Sequence, residues 1–338
     1  MMYNVTIREV ARDAGVSVAT VSRAIRNEGK IRPETRRKVL EVVRKLNYHV
    51  DMGARSIVKK QTKSIGLCIC NICNPFYPPL VRGVENTINK FGYSLILCNT
   101  DEDPRKEEAY LKLMLEKRVD GLIIAPTWDI YASLKEFERR SIPIVVVDRK
   151  CEDISSDTVC VDNVHGAFMA VEHLIKLGHK RIGMIVGPKM ISTTQERVQG
   201  YLEALRKYDL EKDESLMVDG GSAIEGGIKA MEDLLKLKSP PTAVFCYNNV
   251  VTLGGLISLK KLNKKIPKDI AIVGFDEVDW AEVADPPLTV VSQPTYAIGA
   301  TAGQLVMQRL LNEGPKSKQK IILKTELVIR KSCGSKPG

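Results

Sequence analysis

Residues 6–27 read TIREVARDAGVSVATVSRAIRN, and this stretch decides the fold of the N-terminal part of the chain. Thr6 and Glu9 have the capping-box spacing, a hydroxyl followed three residues later by a carboxylate. Apolar residues then recur at helical spacing until Gly15, which breaks the run. Ser17 offers a second N-cap, for a helix that reaches about Arg26. Two short helices joined by a tight glycine turn predict a helix-turn-helix motif.

A third helix is predicted to begin near Pro33, since proline suits the first helical position. It should run to about Leu46, with Val39, Leu40 and Val43 closing a miniature core. A small all-α unit of about 60 residues with such a core is only marginally stable by itself.

The net charge of the chain is concentrated near its N-terminus. The 338 residues include 51 Lys and Arg against 41 Asp and Glu, a net charge of +10. Residues 1–63 hold fifteen of the basic residues and six of the acidic ones, so this segment alone carries +9. A basic head on a nearly neutral body is typical of a protein that contacts nucleic-acid phosphates. A solvated basic surface is the alternative that charge alone leaves open.

The second predicted helix carries the residues that such a head would use on DNA. Its first turn should enter the major groove, and Arg23 lies one turn further on. Arginine binds guanine in a bidentate manner, while small apolar side chains contact thymine methyls. Hydroxyls and amides at a helix start suit phosphate. The candidate DNA-binding residues in this part of the chain are Thr6, Ser17, Val18, Ala19, Thr20, Ser22 and Arg23.

Composition excludes several classes of protein. Hydrophobic residues make up 44% of the chain and charged residues 27%, as in ordinary globular proteins. No apolar run reaches the roughly 18 residues that a membrane span needs, and charges interrupt the N-terminus where a signal peptide needs an apolar run. We therefore expect a cytoplasmic protein whose eight cysteines are reduced.

Beyond residue 63, short β-type runs alternate with helical segments, which predicts an α/β core of parallel sheets covered on both faces. The predicted strands cover residues 65–70, 93–98, 121–125, 142–148, 181–186, 215–219, 243–247, 270–276 and 289–293. Nine strands suit two doubly wound lobes better than one sheet. Ligands of such folds bind at the carboxyl ends of the strands.

Polar and aromatic residues cluster where these strands end, a combination that suits a hydroxyl-rich ligand. The candidate effector-binding residues are Phe76, Tyr77, Thr127, Asp148, Arg197, Asn248 and Asp276. No motif of nucleophilic, dinucleotide-dependent or zinc-dependent catalysis accompanies them, so we expect no enzyme, no catalytic residue and no cofactor. Cys68, Cys70 and Cys73 lack a neighbouring histidine, which favours core packing over a metal or thiol-sensing role.

The segments 6–27, 32–50 and 53–57 together resemble the DNA-binding head of the lactose/galactose repressor (LacI/GalR) family. The resemblance implies a bacterial transcriptional regulator, most often a repressor, that is associated with the nucleoid when it is bound to DNA. Two-fold symmetry in a homodimer then predicts a pseudo-palindromic operator.

The same resemblance implies that residues 51–63 form a hinge that becomes helical only on operator DNA. In that hinge, Ile57 is the expected minor-groove wedge, flanked by Ala54 and Arg55. Gly53 should weaken the hinge helix, since glycine in a helix interior costs roughly 1 kcal/mol relative to alanine.

The resemblance continues to about Arg330, through motifs such as NPFYPPLVRGVE at 74–85 and DPPLTVVSQP at 285–294. It implies the periplasmic-binding-protein-like regulatory core of the family, with a small-molecule effector between two lobes. The expected domains are a head at 1–50, the hinge at 51–63, an N-lobe at 64–161 plus 293–320, a C-lobe at 162–292 plus 321–330, and a tail at 331–338.

A sugar or sugar derivative is the favoured effector. The purine-responsive branch of the family has an aromatic residue near Gly221, and the Gly-Gly-Ser at 220–222 offers none. A nucleobase or a phosphoprotein partner remains the alternative. Asn249 departs from the family pattern, in which aspartate often follows the preceding asparagine.

The resemblance also implies a dimer face on the helices predicted at 78–91 and 104–118. Ordinary packing against the sheet explains the apolar spacing of the first of these helices equally well. The residues concerned are Leu80, Val81, Val84 and Ile88.

Overall fold

The computed structural model of the protein describes residues 5–29, 31–48, 61–127, 132–151 and 154–335. The chain divides into two compact units, residues 1–62 and 63–338, called here the head and the core. The predicted hinge residues Ala54, Arg55 and Ile57 lie outside the described residues. Within the described ranges, no helix is both long and apolar enough to cross a membrane.

The described part of the head consists of three helices, as predicted: α1 (Ile7–Ala14), α2 (Val18–Arg26) and α3 (Pro33–Lys45). The carboxylate of Glu9 accepts hydrogen bonds from the backbone N–H of Thr6 at 2.6 Å and from its hydroxyl at 2.9 Å. Gly15 ends α1 in the left-handed conformation, with φ +64°. Ser17 Oγ then accepts the N–H of Thr20 at 3.2 Å, which starts α2.

The core of the head is small. Its buried residues are Val10, Ala11, Ala14, Val21, Ala24 and Val39. Half of them are alanines, so the three helices approach closely but bury few apolar atoms. Because burial contributes roughly 25 cal/mol per Å² of apolar surface, a core of this size leaves the head sensitive to a single substitution.

All nine predicted strands of the core are present, with ends shifted by up to two residues. The strands are β1 (Ser64–Ile69), β2 (Ser94–Asn99), β3 (Gly121–Ile124), β4 (Ile144–Val147), β5 (Asp157–Val161), β6 (Ile182–Val186), β7 (Met217–Asp219), β8 (Ala243–Cys246), β9 (Ala271–Phe275), β10 (Thr289–Ser292), β11 (Lys320–Leu323) and β12 (Glu326–Val328). They form two six-stranded sheets, with the orders β11-β5-β4-β3-β1-β2 and β12-β10-β9-β8-β6-β7. Neighbouring strands are parallel except for β10 and β12. We call the part built on the first sheet the N-lobe and the part built on the second sheet the C-lobe.

Helices connect the strands and cover both sheets, as parallel pairing requires. They are α4 (Tyr77–Asn89), α5 (Pro104–Lys117), α6 (Ala132–Arg139), α7 (Asn163–Lys176), α8 (Ser192–Lys207), α9 (Ile224–Leu235), α10 (Asn249–Lys261) and α11 (Thr295–Leu311). In the N-lobe, α4 and α11 touch backbone to backbone at Gly83 and Gly299, where any side chain would overlap the facing helix. Because α11 follows β10 of the second sheet, this contact packs the chain that leaves the C-lobe against the N-lobe.

Three strands were not predicted: β5, β11 and β12. They are short, and the last two lie at the sheet edges with no fully buried residue. One expected boundary is wrong as a result. Residues 321–323 were assigned to the C-lobe, but Ile321, Ile322 and Leu323 pair with β5 at the edge of the N-lobe sheet.

The expected loose tail is also wrong for residues 331–335. Ser332 is buried, and its hydroxyl donates to the carbonyl of Ile272 at 2.7 Å while accepting the N–H of Thr289 at 2.8 Å. The segment is therefore fixed against β9 and β10, because it satisfies backbone groups at that end of the sheet. Residues 336–338 lie outside the described ranges.

On α4, packing against the sheet explains the apolar spacing. Leu80, Val84 and Ile88 are fully buried in the N-lobe, and Val81 is half-buried against the same cluster. The three buried side chains are therefore not available to a dimer face.

Candidate functional site

The first candidate surface is the N-terminal half of α2 in the head. Ser17, Val18, Ala19 and Arg23 are exposed there, and Val18 is 41% exposed although it is apolar. An exposed valine at a helix start is poorly placed for stability and well placed for a thymine methyl. The structure thus brings together on one short helix the side chains that were predicted to contact DNA.

Several of the predicted head residues have hydrogen-bond partners within the head. Thr20 and Ser22 are half-buried, and the hydroxyls of Thr20 and Ser17 lie 2.9 Å apart. The hydroxyl of Thr6 is bonded to Glu9. Arg23 Nε donates to the carbonyl of Ala19 at 3.3 Å. The hydroxyls of Thr6 and Ser17 act first at the helix starts, so any phosphate contact that they make is additional.

The second candidate site is a cavity of about 180 Å³ in the core, where the carboxyl ends of strands from both lobes face each other. Six of the seven predicted effector residues line it, namely Phe76, Tyr77, Asp148, Arg197, Asn248 and Asp276. Its other lining residues are Asn71, Asn74, Asp101, Glu102, Arg149, Ile191, Thr193, Ser222, Tyr247, Val250 and Gln293. The strand-end rule for parallel sheets therefore locates most of this site.

Thr127 is the predicted residue that does not line the cavity. Its side chain is fully buried, and both its N–H and its hydroxyl donate to Glu107 Oε2, at 2.8 and 3.1 Å. Glu107 lies in the first turn of α5 and is itself fully buried. Burial raises the pKa of Glu107 to about 7, while the two hydrogen bonds from Thr127 stabilise its ionised form. Thr127 therefore binds this buried carboxyl group and not a ligand.

Two aspartates occupy equivalent positions in the two lobes. Asp148 follows β4 and Asp276 follows β9, and both have left-handed backbones, with φ +66° and +78°. Their N–H groups still pair with the neighbouring strands, at 3.0 Å to Val159 and 2.8 Å to Val291. Aspartate tolerates this conformation better than most residues. Each lobe therefore supplies one carboxylate to the cavity from the end of a central strand.

Asp148 is held in a poorly solvated place. Its side chain is 10% exposed, and its nearest polar neighbours are Tyr77 Oη at 3.5 Å and Arg149 Nε at 3.8 Å. Burial raises the pKa of Asp148 to about 6, although the neighbouring arginine acts in the opposite direction. Its carboxylate consequently lacks strong hydrogen-bond donors and would gain from hydroxyl groups of a ligand.

Arg149 is already neutralised by a carboxylate. Its NH1 and NH2 groups donate to the two oxygens of Glu102, at 2.9 and 2.7 Å. NH1 also donates to the carbonyls of Pro126 and Thr127, at 3.0 Å each. This bidentate pair braces the loops that follow β2, β3 and β4. The positive charge of Arg149 is therefore not available to an anionic ligand.

Arg197, at the start of α8, holds the C-lobe wall together. Its Nε donates to Asn163 Oδ1 at 2.9 Å, and its NH1 donates to the carbonyl of Tyr247 at 2.6 Å. The guanidinium stacks on the ring of Phe275, 3.7 Å from its centroid. Arg197 is 4% exposed, so it is structural as well as a lining residue.

The amides around Asp276 orient its carboxylate. Gln293 Nε2 donates to Oδ1 at 2.5 Å, and the N–H of Asn249 donates to Oδ2 at 3.3 Å. Asn248 uses its Oδ1 to accept the N–H of Val251 at 3.0 Å and so caps α10. The sequence analysis does not name Glu102 and Gln293 as site residues: Gln293 is the last residue of a predicted strand, and Glu102 lies four residues beyond the end of another.

The lining residues carry an acidic surplus. Four carboxylates stand against two arginines, but Glu102 is paired with Arg149 and Asp101 with Lys106, which leaves Asp148 and Asp276 against Arg197. Acceptors therefore outnumber available donors in the cavity. Such a site suits a neutral ligand rich in hydroxyl groups and disfavours a phosphate.

Comparisons with known families agree with this architecture. Residues 6–51 match the family described as bacterial regulatory proteins, lacI family. Residues 62–331 match the family of periplasmic binding proteins and the sugar-binding domain of the LacI family. Together the two matches cover nearly the whole chain.

Individual relatives are similar over their full lengths. The HTH-type transcriptional regulator DegA of Bacillus subtilis is 36% identical over 97% of this chain and 97% of its own. The HTH-type transcriptional repressor CytR of Escherichia coli K12 is 34% identical over 98% of this chain and 97% of its own. A LacI-family regulator from Enterococcus faecium, solved with bound ribose, is 30% identical with a TM-score of 0.73, over 80% of this chain and 98% of that one.

These matches agree with a basic helix-turn-helix head and a two-lobed α/β core, the two features derived above from the residues. Both the family matches and the identities over whole chains are too extensive for a shared fold alone. The chain therefore belongs to the LacI family of bacterial regulatory proteins and is a DNA-binding transcription regulator.

Proposed function

We propose that this regulator is a repressor, that it binds a pseudo-palindromic operator as a homodimer, and that a neutral, unphosphorylated sugar in the core cavity controls its affinity for DNA. One observation carries the effector part of this proposal. Six predicted polar and aromatic residues, from strand ends far apart in sequence, converge on a single cavity between two lobes.

The chemistry of the cavity supports a sugar over the alternatives. Asp148 and Asp276 offer carboxylate oxygens to hydroxyl groups, and Arg197 lies beside them as a cation. A sugar phosphate would meet the carboxylates of Asp148 and Asp276 against the single cation of Arg197, because Glu102 already neutralises Arg149. The bound ribose in the Enterococcus faecium relative is consistent with this assignment.

On DNA, we propose that Arg23, Val18 and Ala19 contact base edges in the major groove. Ser17, Thr20, Ser22 and Thr6 would then contact phosphates around the start of α2. The hinge roles of Ala54, Arg55 and Ile57 are part of the same proposal and rest on the family resemblance. Such a regulator works in the cytoplasm, where it reaches the chromosome.

For the dimer, we propose a face that includes β2 and α5. Leu97 on β2 and Leu113 on α5 are 40% and 37% exposed, in contrast to the buried leucine and valine of α4. Exposed large apolar side chains on adjacent elements are typical of an interface. A dimer of this kind positions two heads on the two half-sites of an operator.

The test combines a ligand screen with a DNA titration. Purified protein is screened by thermal shift against neutral sugars, sugar phosphates and nucleobases. A true effector at 100 times its Kd should add about 2.7 kcal/mol to the free energy of unfolding. Operator affinity is then measured by fluorescence anisotropy with and without the best ligand.

We expect a neutral sugar to stabilise the protein and to change its affinity for the operator, while the phosphate of the same sugar does neither. Stabilisation by a nucleobase, or by a phosphorylated ligand only, would contradict the sugar assignment. A silent screen would instead favour a protein partner.

A further inference from the structure

Three pairs of residues connect the N-lobe and the C-lobe directly, at or next to the cavity. On one side, Asn249 Nδ2 at the start of α10 donates to Asn74 Oδ1, which follows β1, at 2.8 Å. On another, the backbone N–H of Lys150 donates to Ser192 Oγ at the start of α8, at 3.0 Å. Lys150 also forms an ion pair with Glu196 on α8.

The Asn74–Asn249 bond joins the two walls of the site. Asn74 lines the cavity, and its Oδ1 also accepts the N–H of Phe76, another lining residue, at 3.0 Å. Asn249 is 4% exposed, and its N–H donates to Asp276 Oδ2 at 3.3 Å. A change in this bond is thus felt by one aromatic residue of the N-lobe and by the carboxylate of the C-lobe.

The direction of the bond is determined by its surroundings. Since the N–H of Phe76 donates to Asn74 Oδ1, that oxygen is an acceptor, and a partner from the other lobe must be a donor. The amide of Asn249 supplies the donor, whereas an ionised aspartate at the same position supplies none.

We propose that Asn249 is a positioning residue that latches the two lobes closed through Asn74, and so sets the effector affinity of the cavity. The latch raises the population of closed core before any ligand binds, which lowers the cost of closure that the ligand must meet. The role of the latch in regulation rests on the proposed effector function. The existence of the latch does not rest on it, because lobe closure is measurable without an effector.

The same substitution on the two sides of the bond should give opposite results. Asn249→Asp replaces the donor with an acceptor that faces Asn74 Oδ1 and approaches Asp276. Asn74→Asp keeps an acceptor opposite the Asn249 amide and so keeps the bond. An aspartate at the first residue of α10 is favourable to the helix, so the first variant should still fold.

The readout is hydrogen exchange of the Lys150 backbone amide in the full-length protein without ligand. This amide donates to the opposite lobe at a contact that neither substitution touches, so its exchange reports separation of the lobes. Loss of one hydrogen bond should speed its exchange about fivefold in Asn249→Asp. Asn74→Asp should leave the rate at or below that of the unchanged protein.

Two further variants complete the experiment. Asn86→Asp makes the same chemical change on α4, at a half-buried residue whose amide donates to Tyr296 Oη at 3.2 Å within the N-lobe, and should have no effect on Lys150 exchange. Asn249→Ala removes the donor without adding charge and should speed exchange in the same direction as Asn249→Asp. If Asn249→Asp does not fold, the exchange rate of Asn249→Ala decides whether the latch exists.

Equal exchange rates in Asn249→Asp and Asn74→Asp, whether both fast or both unchanged, would overturn the latch. If the latch is present and no sugar in the screen binds, the proposed effector class fails while this inference stands. If a sugar binds and the exchange rates are equal, the latch fails while the proposed effector class stands.

Discussion

The head and the core place their functional residues in opposite environments. On α2 of the head, Val18 is 41% exposed and Arg23 is exposed beside it, whereas Arg197 and Asp276 in the core cavity are 4% and 5% exposed. Exposed residues keep their hydration until DNA arrives, so they contribute to binding with little effect on folding. Buried polar residues are already desolvated in the free protein, which costs stability and prepares the site for its ligand.

The difference has a general consequence for substitutions in this regulator. In the head, changing a DNA-contacting residue should alter DNA affinity and leave stability nearly unchanged. In the cavity, changing a buried charge should alter ligand affinity and stability together, often with opposite signs. Four experiments test this contrast, beginning with the largest expected effect.

Val39→Asp should eliminate specific DNA binding and leave the core able to bind its ligand. Val39 is fully buried among the few apolar residues of the head, and an unpaired carboxylate there costs several kcal/mol. Operator binding is measured by anisotropy, and ligand binding by the thermal shift of the core. Specific operator binding that survives the substitution would show that the head is far more stable than its core indicates.

Arg23→Ala should weaken binding to the operator by about 1–3 kcal/mol, roughly 5- to 150-fold, with a much smaller effect on random DNA. The free energy of unfolding should stay within about 0.5 kcal/mol, as for other exposed residues. Arg12→Ala is the matched control, because Arg12 is an exposed arginine of α1 paired with Asp13 at 3.2 Å. It should reduce affinity for both DNAs by the same small factor, and a similar pattern for Arg23 would remove its role in base recognition.

Asp148→Asn should weaken the binding of the sugar and strengthen the fold. Because burial raises the pKa of Asp148 from 3.8 to about 6, its charge lowers the stability of the folded state at pH 7 by up to about 3 kcal/mol. Asp148→Asn removes that charge, so the free energy of unfolding should rise by up to this amount, as measured by urea unfolding. Loss of a hydrogen bond to a charged group should reduce sugar affinity about 10- to 100-fold. Asp279→Asn, at an exposed site of the C-lobe, should change neither quantity.

The pH dependence of the sugar affinity should be the smallest of the four effects. A hydroxyl-bearing ligand prefers ionised Asp148, so binding is nearly full at pH 7, where the pH is well above the pKa of about 6, and weakens as Asp148 takes up a proton at lower pH. The sugar affinity should therefore be about tenfold lower near pH 5 than at pH 7. Calorimetry at a series of pH values measures it, and Asp148→Asn should give a nearly flat profile. A wild-type profile that is equally flat would mean that Asp148 does not contact the ligand.

The sign for stability is opposite to the sign for ligand binding. A carboxyl whose pKa is raised by folding holds its proton more tightly in the folded state, so Asp148 lowers stability progressively as the pH rises from about 4 to about 6. Ligand affinity increases over the upper part of the same range. The two trends together distinguish a binding carboxylate from one that is merely buried.

Local sequence signals predicted most of the architecture. The Thr6–Glu9 capping pair, Gly15 and Ser17 act within a few residues of each other, so the helices of the head follow from the sequence directly. The cavity residues Asp148 and Asp276 were identified because parallel strands bring their carboxyl ends to one edge.

The failures arose where a tertiary neighbour decides the outcome. Thr127 satisfies the same strand-end rule as Asp148, but a buried glutamate from α5 takes both of its hydrogen-bond donors. No local pattern shows which neighbour a hydroxyl will meet. The edge strand β11 is short and follows a loop, and its place in the N-lobe sheet depends on pairing with β5, more than 150 residues earlier in the chain.

The most direct test of the account is the reciprocity between the cavity and the DNA. The Kd of the sugar identified by the screen is measured by calorimetry with the full-length protein, first alone and then saturated with operator duplex. Linkage requires the two ligands to change each other's affinity by the same factor, typically 5- to 150-fold in allosteric proteins. We predict a change of this size that equals the effect of the sugar on operator affinity. A sugar Kd that is the same with and without operator would contradict the claim that the core cavity controls the DNA-binding head.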